Sequence, residues 1–588
     1  MTISNLIRLS LCILTSMLFG LFQLKSQNVS EKSLPEIQSA EQLIIEGVNV
    51  ISMLSDAISY NQNVYISKGV IDSIIPSKYQ LHETDPTTLV INGKLKFLIP
   101  GLMDAHAHID EVFTGEFYSD APIYLSYGVT SLINLNGNKR ILDFRNGLSK
   151  GSIEGWYPRI FTAGNYINEP FFTSPMEVEN EVIRQVEAGF DLIKTHGSLS
   201  SESFERLHNV SNKNNIPVIG HAPRNLSISE VWKNKHNLAH GEEFMYTAFQ
   251  PIITRQWQIL FFAGILSLIA LVIIEVFHLF FHLILKKKKL HRFKTRFYSG
   301  KVILAHFVFI LLFLFSVPPV NGYFFDSVLV RIVLILLLFS MGILFFKNVN
   351  DVKTIKTFRY RAINLLVLLL LVSSFYLTVQ SCKTLPWYID KVATKAKEAE
   401  IFVCPNLTAY HYIALHHNDS LLKEIRARKE MNLINSYSKE WWDREAQTGR
   451  NIKKIIAKGF IRQKELLNCT TRALFDQDVP LLAGTDTGIP WVIPGRSMHE
   501  ELEFLADTGI PPYEALKTAT LNVAQFLKKD SILGTIEKGK YADLVLLDAN
   551  PLDNITNSQK ISAVIYRGQY ISSEMISNTL SIIEENNN

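Results

Sequence analysis

The sequence predicts an α/β protein: a TIM-like (β/α)8 barrel, a small composite β-domain built from both chain ends, and an α-helical transmembrane insertion in the loop after barrel strand 6. Three observations predict it. Eight short apolar runs alternate with amphipathic helical stretches such as ENEVIRQVEAGF, the pattern of a parallel barrel. Metal-ligating and titratable residues stand at the C-terminal ends of those runs, the end of each strand that a barrel gathers around one pocket. Four apolar segments, each near the ~20 residues that span hydrocarbon as a helix, follow the sixth run.

Taken in chain order, residues 1–27 come first. Arg8 precedes an apolar run with polar residues after it, which reads either as a signal peptide or as a retained N-terminal anchor. Residues 41–100 hold strand-like runs with turn signals, QLIIEGVNVI, NVYISKGVIDSII and TTLVINGKLKFLIPG. The eight candidate barrel strands are GLMDAHAHI, VTSLINL, RIFTAGNY, DLIKTHG, IPVIGHA, HNLAHGEE, IFVCPNLT and VPLLAGTDTG, so the barrel covers 101–250 and 383–529. The insertion occupies 251–382, with spans at about 257–284, 302–320, 327–346 and 363–380. Residues 530–575 return to strands in LGTIEKGKYADLVLLDANPL and ISAVIYRGQYI, and these are expected to pair with 41–100.

The loops orient the spans. KKKKLHRFKTRFYSGK and KNVNDVKTIKTFRYR are strongly basic, and VNGYFFDS has no Lys or Arg. The basic loops belong on the cytoplasmic side by the positive-inside rule. That makes a multi-pass membrane protein, in a bacterial inner membrane with its catalytic domain on the periplasmic side. Within the spans, Glu275, His278, His282 and His306 are ionisable residues near a basic interface, where snorkelling or a Glu–His pair accounts for them.

Composition narrows the function classes. A net charge of +4 gives no electrostatic footprint for nucleic acid. Cys12, Cys382, Cys404 and Cys469 are too few for a disulfide framework and lack zinc-ligand spacing. What remains is the strand-end set. Residues i and i+2 of a strand face the same side, so His106 and His108 can address one ion. Lys194, His221, His240 and Asp486 close four further strands. A His-x-His pair alone is weak; five strand ends carrying such residues converge on a metal site.

These motifs are similar to those of the metal-dependent amidohydrolase superfamily, in its imidazolonepropionase-like and prolidase-like branch. PGLMDAHAH, DLIKTHG, VIGHA, LAHGEEF, LLAGTDTG and the tail LKTATLNVAQFL…LGTIEKGKYADLVLLDANPL carry the resemblance across nearly all of the chain outside 251–382. The resemblance implies two divalent ions, zinc foremost. One is held by His106, His108 and Asp486 and the other by His221 and His240, with Lys194 bridging both after carboxylation by CO2. A mononuclear site with unmodified lysine is the alternative. It implies amide (C–N) hydrolysis by a metal-bridging hydroxide, with Asp486 as general base and then general acid.

Substrate contacts are fainter. Arg224 follows a ligand strand and suits a substrate carboxylate; His196 shares its strand side with Lys194; Tyr410 and His411 follow the seventh strand. Trp441 and Trp442 read as helix packing. An insertion in a βα loop places the catalytic mouth near the bilayer, so an amphipathic N-acyl, lipid-like or peptide substrate is expected alongside the small-molecule amide. Two alternatives stand: a Xaa-Pro-type or other dipeptidase with the membrane block as anchor only, and a membrane sensor or transport protein with a non-catalytic barrel.

Overall fold

The computed structural model describes residues 32–79, 88–109, 120–168, 171–223, 225–249, 388–415, 418–447 and 450–587. Six strands open the chain: β1 (Gln38–Ser39), β2 (Gln42–Ile51), β3 (Ile58–Ser67), β4 (Val70–Pro76), β5 (Leu89–Asn92) and β6 (Phe97–Pro100). The barrel strands are β7 (Leu102–Ala107), β8 (Val129–Asn134), β9 (Arg159–Thr162), β10 (Ile193–Thr195), β11 (Val218–Gly220) and β12 (Asn237–Leu238). Near the C-terminus lie β13 (Leu544–Leu547), β14 (Ile561–Tyr566) and β15 (Gln569–Ser572).

The ring can be followed strand by strand. β7, β8 and β9 pair in parallel, and so do β10, β11 and β12. Parallel bridges Ala163–Leu192 and Ile167–Thr195 join the two groups. Leu238 bridges Val403, and Val403 bridges Leu481, which supply the seventh and eighth positions. Backbone hydrogen bonds from Ala105 N to Ala483 O (2.9 Å) and from Asp486 N to His106 O (2.8 Å) close the ring. Closure demands tight packing at this seam: a Cβ on Gly484 would stand 2.5 Å from Cys404 Sγ and 2.8 Å from His106 Cβ.

A nine-stranded sheet combines both chain ends, in the order β1-β15-β14-β13-β6-β2-β3-β4 with β5 on β2. Its seam is β6 against β13, antiparallel, with Leu98 opposite Leu546. Alternation explains the seam. Leu98, Leu544 and Leu546 bury with Val48, Val64 and Ile565 in the sheet's own core, while Ile99, Val545 and Leu547 join the large core around the barrel. Arg159, at the start of β9, donates two hydrogen bonds to Asp543 beside β13, pinning the sheet to the N-terminal end of the barrel strands. Breaking such a part-buried pair on one side leaves an uncompensated charge, a cost of about 3–5 kcal/mol in buried settings.

Two expectations need correction. Among the described residues, no helix is long and apolar enough to cross a membrane. The four proposed spans, with Glu275, His278, His282 and His306, and the N-terminal segment 1–27 lie outside the described residues. The fold class with a transmembrane insertion and the multi-pass inner-membrane localisation are withdrawn together. The expectations of a bilayer partner and a lipid-like substrate rested on that insertion alone and go with them.

Candidate metal centre

The site is assembled at the C-terminal ends of the barrel strands. In β7, Asp104, His106 and the following His108 alternate in register, so all three are carried toward one side of the strand. Leu192, just before β10, and Ile219, in β11, are buried in the barrel's second core cluster; Lys194 and His221 stand two residues further on, hence on the same side. His240 stands two residues past the end of β12. Asp486 follows the eighth position with φ +56°, a left-handed conformation that an aspartate tolerates better than most residues.

These side chains meet. Asp486 Oδ1 lies 3.2 Å from His106 Nε2 and 3.3 Å from His108 Nε2, and its Oδ2 lies 3.7 Å from His240 Nδ1. The His106 ring is 5.3 Å from that of His108 and 4.7 Å from that of His240, which is 4.3 Å from His221. His106, His240 and Asp486 offer donor atoms within 4.8 Å of one another. A second group, His221 with Glu242 and Glu243, does the same. His221 Nδ1 is 2.5 Å from Oε1 of the fully buried Glu243. His240 thus groups with His106 and Asp486, whereas the expected division pairs it with His221.

Electrostatics favours ligand behaviour. Burial drives His106 and His240 well below the ordinary histidine range, so both imidazoles are neutral and keep a lone pair for a metal. Burial alone would raise the Asp486 carboxyl; positive charge on the side of His106 and His240, with the hydrogen bond from His108, holds it well below the usual carboxylate range, and with those rings neutral a bound cation would supply that charge. Burial lowers Lys194 to about 8, against the pull of Asp486. Lys194 Nζ is buried with no hydrogen-bond partner among the described residues. A buried amine left without a partner is costly, of order 1–3 kcal/mol or more, unless something else occupies it. His106 Nε2 poses the same problem. Its Nδ1 lies 3.2 Å from the Ala239 carbonyl oxygen, a pure acceptor, so Nδ1 carries the ring proton. Nε2 then presents a lone pair to the Asp486 carboxylate, and two acceptors at 3.2 Å need a cation between them. The donor set fits a divalent metal.

Three buried residues complete the surroundings, and strand-end reasoning passes over them. Asp104 accepts from His106 N (3.1 Å), Thr485 N (3.0 Å) and Thr485 Oγ1 (2.6 Å), tying β7 to the eighth position beneath the site. Burial raises it to about 7, with those hydrogen bonds pulling the other way. Asn406 reaches both His106 and His240. Glu243 holds His221. The i, i+2 alternation already flags Asp104; Asn406 and Glu243 have no such local signal.

The fainter expectations divide. The His196 ring is 4.5 Å from that of His221 and 5.0 Å from that of Tyr166, so His196 lines the centre's edge. Tyr410 is buried in the main core. His411 stacks on Phe504 with ring centroids 4.5 Å apart and receives a hydrogen bond from Lys464 Nζ (2.7 Å). Both belong to the helix Leu407–Leu415, whose first amides bond the buried Glu501 (3.0 and 2.7 Å), and both are engaged in packing it. Arg224 lies outside the described residues. Trp442 packs on Trp491 in a satellite core that Trp441 borders.

Comparison with known proteins agrees with this geometry. Residues 409–571 match the Amidohydrolase family. A 5-methylthioadenosine/S-adenosylhomocysteine deaminase of Caldanaerobacter subterraneus subsp. tengcongensis is 29% identical over 182 residues, 29% of this chain and 36% of that protein. An imidazolonepropionase of Shouchella clausii is 36% identical over 83 residues, 13% of this chain and 17% of that protein. The chain thus spans about a third or less of the length of these curated relatives. Among solved structures, a Xaa-Pro dipeptidase with bound methionine is similar at TM-score 0.52 and 14% identity, covering 90% of this chain and 100% of that one. A putative prolidase from Bifidobacterium longum is similar at TM-score 0.53 and 17% identity, covering 91% of this chain and 95% of that one. At such identities the likeness speaks for the fold. Residues 409–571 carry an Amidohydrolase family domain, within a chain that shares its fold with those solved structures.

Proposed function

We propose that this protein is a metal-dependent hydrolase that cleaves a C–N bond of a small amide or peptide. The observation that carries the reading is the meeting of His106, His108, His240 and Asp486 within 3.2–3.7 Å contacts, beside a buried and unpartnered Lys194. Two divalent ions suit the two donor groups, with His106, His108 and Asp486 at one and His221 at the other, His240 standing between them. Zinc matches imidazole and carboxylate donors best. Lys194, carboxylated, would join the two seats.

Bound there, the ions would polarise the scissile carbonyl and acidify water near neutral pH. The remaining work falls to the chain. Asp486, ionised and fixed by its backbone bond to His106 O, accepts the proton of the attacking water. It then passes that proton to the leaving nitrogen, which cannot depart as an anion. Glu243 holds the His221 ring in one orientation. His196, at the edge beside Tyr166, contacts the substrate.

The curated deaminase relatives favour a second reading, removal of an amino group from a ring carbon. The same proton transfers serve it, and the product tells them apart. The purified full chain, loaded with zinc, is assayed on dipeptides including Xaa-Pro, on N-acyl amino acids and on aminopurines. Free amino acid is the expected product. Ammonia from an aminopurine, with the amides and peptides untouched, replaces this reading with the deaminase.

A further inference from the structure

Asn406 immediately precedes the helix Leu407–Leu415 and is fully buried, with φ +53°. One atom of its carboxamide lies 2.9 Å from His106 Nδ1 and 3.1 Å from His240 Nδ1; the other lies 2.7 Å from Cys404 Sγ. Amide oxygen and nitrogen are told apart by what surrounds them. His106 Nδ1 carries a proton, because it also faces the Ala239 carbonyl. The carboxamide atom opposite that proton must therefore accept. Oxygen belongs on the histidine side and nitrogen on the Cys404 side.

We propose that Asn406 is a positioning residue whose carboxamide oxygen accepts from Nδ1–H of both His106 and His240. One oxygen then fixes two rings from different strands in the same tautomer, and Nε2 of each is left as a lone pair for a metal. Burial at 406 makes the device effective: no water competes for either proton, and the left-handed backbone holds the side chain under both rings. The inference rests on the metal-site reading above.

The test compares Asn406→Gly and Asn406→Asp in the full chain, because both residues tolerate positive φ. Asn406→Asp keeps an acceptor toward the two rings; Asn406→Gly removes it. Zinc affinity is measured by competition with a chromogenic chelator, and the metal-free melting temperature controls for folding. The glycine variant is expected to bind zinc about 10–100-fold more weakly, the usual effect of losing a partner that orients a ligand, and the aspartate variant within a few-fold of the parent. Equal zinc affinity of parent and glycine variant overturns the proposal, as does an equal loss in both variants. If the glycine variant does not fold, the aspartate variant decides by itself: retained affinity supports the acceptor role and a 10-fold or larger loss refutes it. A parent chain that binds no zinc overturns the metal-site reading instead.

Discussion

Asp486→Asn lowers kcat on the amide or peptide substrate by about 10²–10⁴-fold, the range a positioned acid–base group contributes. The size of the effect follows from what the side chain does in place. Its carboxylate stands within 3.2–3.7 Å of three imidazoles and is held well below the usual carboxylate range, so it is ionised at neutral pH and open to a proton from a water that a bound ion would acidify. Asparagine keeps the volume and one acceptor oxygen but takes up no proton. Its backbone also tolerates φ +56° as aspartate does. The melting temperature should therefore stay close to the parent's while turnover collapses. Wild-type turnover in a metal-loaded Asp486→Asn variant removes the residue from the reaction.

The second large effect is at Lys194. Burial lowers its amine to about 8, so about a tenth of it is neutral at pH 7, against well under a thousandth for an ordinary lysine. Only the neutral amine has a lone pair with which to attack CO2. On the proposed reading the N–C bond forms, the neutral amine gives up one proton, and the side chain becomes a carbamate anion able to face two cations. Lys194→Ala removes that anion and is expected to cost at least 10²-fold in turnover together with one bound ion per chain. Short carboxylates such as acetate or propionate should restore part of the activity by standing in the space vacated. Lys194→Arg should not rescue, since a guanidinium neither deprotonates nor carboxylates. Carbon-13-labelled bicarbonate gives a carbamate signal in the parent and none in either variant. Turnover of Lys194→Ala equal to the parent's, without added carboxylate, contradicts the bridging role.

The sequence makes the strand ends legible for a simple reason. A buried parallel strand shows as a short apolar run, and alternation tells which of its last residues face inward. His106, His108, Lys194, His221, His240 and Asp486 all carry that signal, and the structure brings them to one end of the ring. Other features need closure to be seen. Asn406 acts only because the seventh position of the ring brings it against His106 and His240, whose strands lie 300 and 166 residues away in sequence. Glu243 matters through the rotation of a turn after β12, which no periodicity reports. Tyr410 and His411 mislead in the opposite way. They follow a strand end closely, but the helix begins at Leu407, and its period turns them toward core and neighbouring helices.

The measurement that bears most directly on this account is the divalent-ion content of the purified full chain after growth with added zinc, with the Asp486→Asn variant beside it. About two ions per folded chain are expected, with turnover lost to a chelator and regained with zinc, and a weakened hold on metal in the variant. A folded chain that takes up no divalent ion at saturating zinc contradicts that expectation, and the convergence of three imidazoles on one carboxylate would then need another explanation.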